Sequence, residues 1–169
     1  VPMKNRLFWN EGPEKGFAEV TSVSGEALSY ENVGRGAAFG DYDNDGDIDV
    51  YIVNNCGQAV LLRNDGGNKN NWLEIKLVGR KSNRSAIGAR IKMVSGNVSQ
   101  IREVNNQSSY LSQNSLTQHF GLAKYNKIDT LNILWPGGLN QQFLDIPVNG
   151  RLEITEGVKS IKNLGKLHN

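Results

Sequence analysis

Between Gly40 and Val50 the chain sets five aspartates into nine residues, Asp41-Tyr42-Asp43-Asn44-Asp45-Gly46-Asp47-Ile48-Asp49. Carboxylates this close repel one another unless a cation neutralises them, so a fold must either splay this segment apart or build it around an ion. Calcium is the hard cation that fits, because it takes about six to eight oxygen ligands in a flexible shell, and alternating carboxylates on a tight turn supply them. On that reading Asp41, Asp43 and Asp45 turn side-chain oxygens inward, Gly46 permits the sharp turn, Asp47 offers its backbone carbonyl and Asp49 closes the shell. The twelfth position of the run is Ile52, where an EF-hand needs a bidentate Glu, so this is a different calcium loop. A solvated acidic turn is the plain alternative, and it suits one or two Asp beside a Gly better than this spacing. Calcium is preferred to magnesium on ligand count and loop flexibility alone.

The flanks are not helical. Gly36-Ala37-Ala38-Phe39-Gly40 precedes the loop, and the β-rich Ile48-Asp49-Val50-Tyr51-Ile52-Val53 follows it as a predicted strand. A half-motif, Asn5-Arg6-Leu7-Phe8-Trp9-Asn10 with Gly16-Phe17-Ala18-Glu19-Val20-Thr21, recurs in weaker form at Leu61-Leu62-Arg63-Asn64-Asp65-Gly66, 54 residues on. That spacing matches one propeller blade. Together with Phe39-Gly40 and the Asp-x-Asp-x-Asp-Gly-x-x-Asp loop, these residues resemble an FG-GAP or VCBS repeat. The resemblance implies a calcium-bearing β-propeller blade of the kind found in integrin-type ectodomains and bacterial surface proteins. One blade cannot bury both faces, and the chain starts at Val1 without Met or a leader, so the expectation is a C-terminal fragment of a longer repeat protein.

From about Asn71 the repeat pattern stops, and short alternating runs with Gly, Asn and Pro punctuation take over. They are Trp72–Val78, Ala89–Val94, Gln100–Val104, Ile128–Trp135, Gln142–Ile146 and Leu152–Thr155, with a Pro136-Gly137-Gly138 turn. Helical periodicity is absent apart from a turn expected near Ser115–Phe120 or in the Lys-rich tail. The expected fold class is all-β: a partial β-propeller blade with a calcium loop at 1–70, then a small β-sandwich or jelly-roll-like domain at 71–157 and a tail at 158–169. Asn71-Trp72-Leu73, Ile87-Gly88-Ala89-Arg90, Gln100-Ile101-Arg102-Glu103-Val104, Tyr110-Leu111-Ser112-Gln113-Asn114, His119-Phe120-Gly121-Leu122, Trp135-Pro136 and Ile154-Thr155-Glu156-Gly157 resemble the ASPIC/UnbV domain of the cartilage acidic protein-like family. The resemblance implies an extracellular or surface-exposed, calcium-associated, adhesive protein, with the rest of the parent propeller as its neighbour.

Charge is uneven along the chain. Residues 1–60 hold four Lys or Arg against ten Asp or Glu, and residues 61–169 hold fifteen against seven. Arg80, Lys81, Arg84, Arg90, Lys92 and Arg102 gather at the start of the second part. An acidic glycan would be drawn there, although charges on alternating strand positions are more often a solvated face. No nucleic-acid motif accompanies the charge, and no segment reads as a membrane span. A lectin-like reading would use exposed aromatics, with Tyr110, Trp135 and Trp72 as candidates and Arg84, Arg90 and Arg102 as charged helpers; Trp72 and Trp135 border apolar strands, where core is the commoner fate. Candidate partners are therefore an extracellular glycan or a surface protein. Cys56 is the single cysteine, which excludes a disulfide within the chain, and a buried thiol is expected. Catalysis is not expected, because His119 is the sole candidate base outside the tail and no nucleophile is aimed at it in sequence. The calcium should be structural.

Overall fold

The structure is a computed structural model describing residues 1–107 and 109–165. It is all-β, with 3-10 turns as the only helical pieces among the described residues. In the first part β1 (Met3–Lys4) pairs with β4 (Glu31–Asn32), and β2 (Phe8–Asn10) forms a hairpin with β3 (Phe17–Glu19). Next, β5 (Gly34–Gly40), β6 (Asp49–Asn54) and β7 (Val60–Leu62) make an antiparallel three-stranded sheet, and the aspartate loop is the β5–β6 connection. This part is thinly packed, with Phe8, Trp9, Phe17, Tyr51 and Leu61 all exposed.

The second part is a sandwich of two four-stranded sheets. Its strands are β8 (Asn71–Val78), β9 (Arg90–Ser95), β10 (Val98–Glu103), β11 (Gln118–Ala123), β12 (Lys127–Leu134), β13 (Asn140–Pro147), β14 (Gly150–Thr155) and β15 (Lys162–Asn163). One sheet runs β10-β9-β12-β13 and the other β11-β8-β14-β15, with β14 parallel to β8. Inward residues of both, among them Leu73, Ile75, Ile91, Met93, Phe120, Leu131, Ile133 and Ile154, form one buried core. Alternation produced these strands, because apolar residues at every second position can only face one side of a pleated sheet. The turn expected over Ser115–Phe120 ends at Thr117, and Gln118–Ala123 is strand, since Phe120 and Leu122 alternate into that core.

Glu156 fixes the Arg80–Ser82 loop to the end of β14. Its buried carboxylate accepts backbone N–H groups of Arg80, Lys81 and Ser82 at 2.7–2.8 Å and the Ser82 hydroxyl at 2.9 Å. Those donors, led by the Ser82 amide, hold its pKa down at about 2.

β8 departs from alternation at a telling place. Leu73 and Ile75 face the core, yet Trp72 and Glu74 on the opposite face are also buried, at 4% and 3% exposure. The aspartate loop covers them. His119, directly opposite Glu74 on β11, donates from Nε2 to the Gly46 carbonyl at 3.0 Å and stacks on Trp72 with ring planes 14° apart. The edge of β5 is closed from the same side: Ala37 N–H donates to Ser112 Oγ (3.0 Å), Phe39 N–H to Asn114 Oδ1 (3.1 Å), and Ser115 N–H to the Phe39 carbonyl (3.0 Å).

Candidate metal centre

The five aspartates divide into two roles. Asp41, Asp43 and Asp49 each bring a carboxylate oxygen to within 4.8 Å of the others. Three oxygens that close could share one hard cation such as calcium. Among the described residues Asp43 Oδ1, like Asp47 Oδ1 and Asn54 Oδ1, is buried without a hydrogen-bond partner, and an ion at the cluster would answer the Asp43 oxygen. The donor set is all hard oxygen, so residues and chemistry fit calcium.

The other two carboxylates shape the loop. Asp45 Oδ1 accepts the Asp47 amide at 3.0 Å. Asp47 Oδ2 accepts the amides of Gly66 and Gly67 at 3.2 and 3.0 Å, while its Oδ1 is buried and unpartnered. Spacing assigns Asp47 a role through its backbone carbonyl; what its side chain does is tie the loop to the 64–67 turn. Gly67 is needed there, since a Cβ would stand 2.8 Å from that of Asp47.

The cluster ligands are themselves held by the backbone. Asp41 caps the turn through the amides of Asp45 (3.1 Å) and Gly46 (2.9 Å), and Asp49 accepts those of Tyr42 (3.1 Å) and Asn64 (2.9 Å). These bonds aim the carboxylates before any ion arrives. Without an ion the arrangement is electrostatically uncomfortable. Burial raises the pKa of Asp41, and burial together with the neighbouring Asp45 charge pushes Asp47 up to about 6. Glu74, beneath the loop, is raised to about 7, first by burial and second by the charge of Asp41, against the pull of Arg151, whose Nε lies 2.9 Å from Oε2.

The aromatic and basic candidates scatter. Trp135 is 1% exposed and donates its Nε1–H to Gln141, so it is core and cannot stack on a sugar. Trp72 is walled in by Gly46 and His119. Tyr110 stands 72% exposed on the Ser109–Ser112 turn. Arg84 is exposed in the 79–88 loop. Arg90 and Arg102 lie on opposite faces of their sheet: Arg90 sits across from Glu103, whereas Arg102 is in register with inward-facing Ile91 and lies over the Phe120 ring. Opposite pleats keep the arginines from converging. Cys56 is exposed rather than buried, because it occupies a positive-φ turn after β6 instead of the strand itself. His119 places Nε2 on the Gly46 carbonyl and burial lowers its pKa, so it joins the sandwich to the aspartate loop. His168 lies outside the described residues.

Sequence reasoning missed Glu74, His119 as a contact to the loop, and the 64–67 turn as its anchor. The repeated Leu-x-x-Asn half-motif was the available signal for the last.

Residues 2–52 match the family model described as FG-GAP-like repeat, and residues 79–161 match the one described as ASPIC and UnbV. The chain is similar to cartilage acidic protein 1 of Homo sapiens, 29% identical over 139 residues, which cover 79% of this chain and 21% of that protein. Similarity to the Mus musculus protein is 27% over 157 residues (89% and 24%), and to the Xenopus tropicalis protein 30% over 118 residues (68% and 18%). The chain thus spans about a quarter or less of the length of these relatives. It belongs to the family in which an FG-GAP-like repeat leads into an ASPIC and UnbV domain.

Proposed function

We propose that this chain is a non-catalytic, calcium-binding recognition module of an extracellular or cell-surface protein, with a surface protein or glycan as its partner and the remaining propeller blades as its neighbours. The observation that carries the reading is the convergence of one carboxylate oxygen each from Asp41, Asp43 and Asp49 within 4.8 Å of one another, in a loop where Asp43 Oδ1 is buried and has no hydrogen-bond partner among the described residues. A bound calcium ion supplies charge neutralisation and no chemistry. The residues do the rest: Asp41 and Asp49 hold the turn, Asp47 ties it to Gly66 and Gly67, and Gly46 seats it on Trp72 and His119. A loop held in one shape binds without the cost of ordering itself. No helix among the described residues is long and apolar enough to cross a membrane.

The test is thermal melting in about 10 mM calcium against excess chelator. An affinity typical of extracellular modules, about 0.1–1 mM, adds roughly 1.4–2.7 kcal/mol by mass action, or about 3–10 °C for a chain of this size. A purified protein that carries no calcium by metal analysis and shows no shift would sink the reading. A second reading, a structural cap on a propeller edge, is favoured by the bonds from Ser112, Asn114 and Ser115 that close the open side of β5.

A further inference from the structure

Where the repeat meets the sandwich there is a cleft of about 400 Å³ whose walls come from both parts, Phe39, Gly40 and Ile48 on one side and residues of β8, β10 and β11 with their loops on the other. Its size is that of a small-molecule site, and it forms only because the two parts are docked.

The cleft is lined with unspent hydrogen-bonding capacity. At its base Glu74 is 3% exposed; Oε2 takes the Arg151 guanidinium, and Oε1 accepts nothing among the described residues. Asn114 uses Oδ1 on the Phe39 amide and keeps its NH₂. Gln118 uses its NH₂ on the Leu116 carbonyl and keeps Oε1. Asn105 makes no hydrogen bond among the described residues, and Arg102, with both terminal nitrogens bonded to the Ile101 carbonyl and Gln100, keeps Nε–H. Phe39 and Ile101, about half exposed, put apolar surface on the rim.

Charge narrows the ligand class. Glu74 is paired with Arg151 at 2.9 Å, Glu103 with Arg90 across an exposed 3.8 Å, and Arg102 has no carboxylate within ion-pair distance among the described residues, so each carboxylate of the lining has a cation beside it. A dication or a polyphosphate has no matching charge there. What matches alternating donors and acceptors beside an apolar rim is a ring carrying adjacent hydroxyls and a C–H face.

We infer that this cleft binds one saccharide unit, its hydroxyls bonded to Glu74, Gln118, Asn105 and Asn114 and its C–H face against Phe39 and Ile101. The inference rests on the recognition reading and gives it a ligand class and a site away from Tyr110 and Trp135.

The test is an amide-resonance titration of the whole chain in saturating calcium with neutral oligosaccharides and, separately, uronate-containing ones. Shifts confined to residues 39–40, 74, 101–105 and 114–119 are expected, with binding weakened about tenfold or more in the Asn105→Ala/Gln118→Ala double variant and unchanged in Tyr110→Ala. Tighter binding of the uronate series supports the site with Arg102 on the acid group; equal binding supports it through hydroxyls alone. Three results overturn it: no cleft shifts with either series at about 10 mM, where even weak millimolar binding would register; full binding in the double variant; or binding lost in Tyr110→Ala alone. A chain that shows the calcium melting shift yet binds no saccharide overturns this inference and leaves the calcium reading intact.

Discussion

Gly46→Ala is the sharpest test of how the aspartate loop meets the sandwich. Gly46 has φ +98°, outside the region L-residues adopt, and a Cβ there would run into the indole of Trp72 at Cε2, Cζ2 and Nε1. Trp72 has little room to yield, since it is buried and stacked on His119. The backbone conformation costs roughly 1–3 kcal/mol and the collision roughly another 1–3. For a chain of this size about 2–6 kcal/mol corresponds to a melting decrease of about 5–20 °C. Gly12 provides the control: it has the same φ of +98° with nothing within 4 Å of its Cβ position. Gly12→Ala therefore carries the backbone cost alone, and the difference between the two variants isolates the Trp72 contact.

Melting by circular dichroism, with and without calcium, and tryptophan fluorescence read the outcome. If the loop swings away instead of the whole chain unfolding, the melting decrease is smaller, but the calcium-dependent shift collapses and the Trp72 emission moves toward that of a solvated indole. A Gly46→Ala protein that melts no lower than Gly12→Ala, keeps its calcium shift and keeps its emission would refute the packing argument.

Two further outcomes are expected. Ser112→Ala/Asn114→Ala removes the acceptors of the Ala37 and Phe39 amides, costing about 1–3 kcal/mol in net hydrogen bonding; melting should fall by about 2–10 °C with faster hydrogen exchange at those two amides, and unchanged exchange would count against the cap reading. The Glu74 carboxyl, raised to about 7, holds its proton more tightly in the folded than in the unfolded chain, so its share of stability is fully present below the ordinary carboxylate pKa and is lost as pH rises from there through about 7. Because Asp41's charge is one cause of that shift, calcium should lower the Glu74 value seen by carboxyl ¹³C titration, and an identical value in chelator and calcium would show that the ion is not beside Asp41.

The sandwich was largely legible because its inner faces alternate: Leu73/Ile75/Leu77, Ile91/Met93 and Leu152/Ile154 declare which side is buried. β11 escaped because His119 and Gly121 interrupt the apolar pattern, and β7 because three residues are too few to carry a period. The aspartate loop was legible as ligand chemistry but not as a division of labour. Spacing alone makes Asp45 look like Asp41 and Asp43 and gives Asp47 only its carbonyl; the tie from the Asp47 side chain to Gly66 and Gly67, some 20 residues on, has no local signal. Trp135 and Cys56 turned on exposure, which for a residue at a strand end depends on what closes over that end. Trp135 is buried where the turn to Leu139 closes the strand end, and Cys56 stays exposed.

The four consecutive buried residues Trp72, Leu73, Glu74 and Ile75 show that the two parts of this chain pack together at β8. A strand buried on both faces needs cover on both, and half of the cover for β8 comes from a loop that precedes it by about 25 residues. Glu74 in that position is costly to bury: Oε2 is held by Arg151, and buried ion pairs are often no more stable than apolar residues of the same volume. The stacked Trp72 and His119 and the Glu74 carboxylate share the face of the β8–β11 pair on which the aspartate loop rests. An ion that neutralised the aspartates would change the charge felt by Glu74, so the proposed calcium site and the proposed saccharide cleft would be coupled through Asp41 and Glu74.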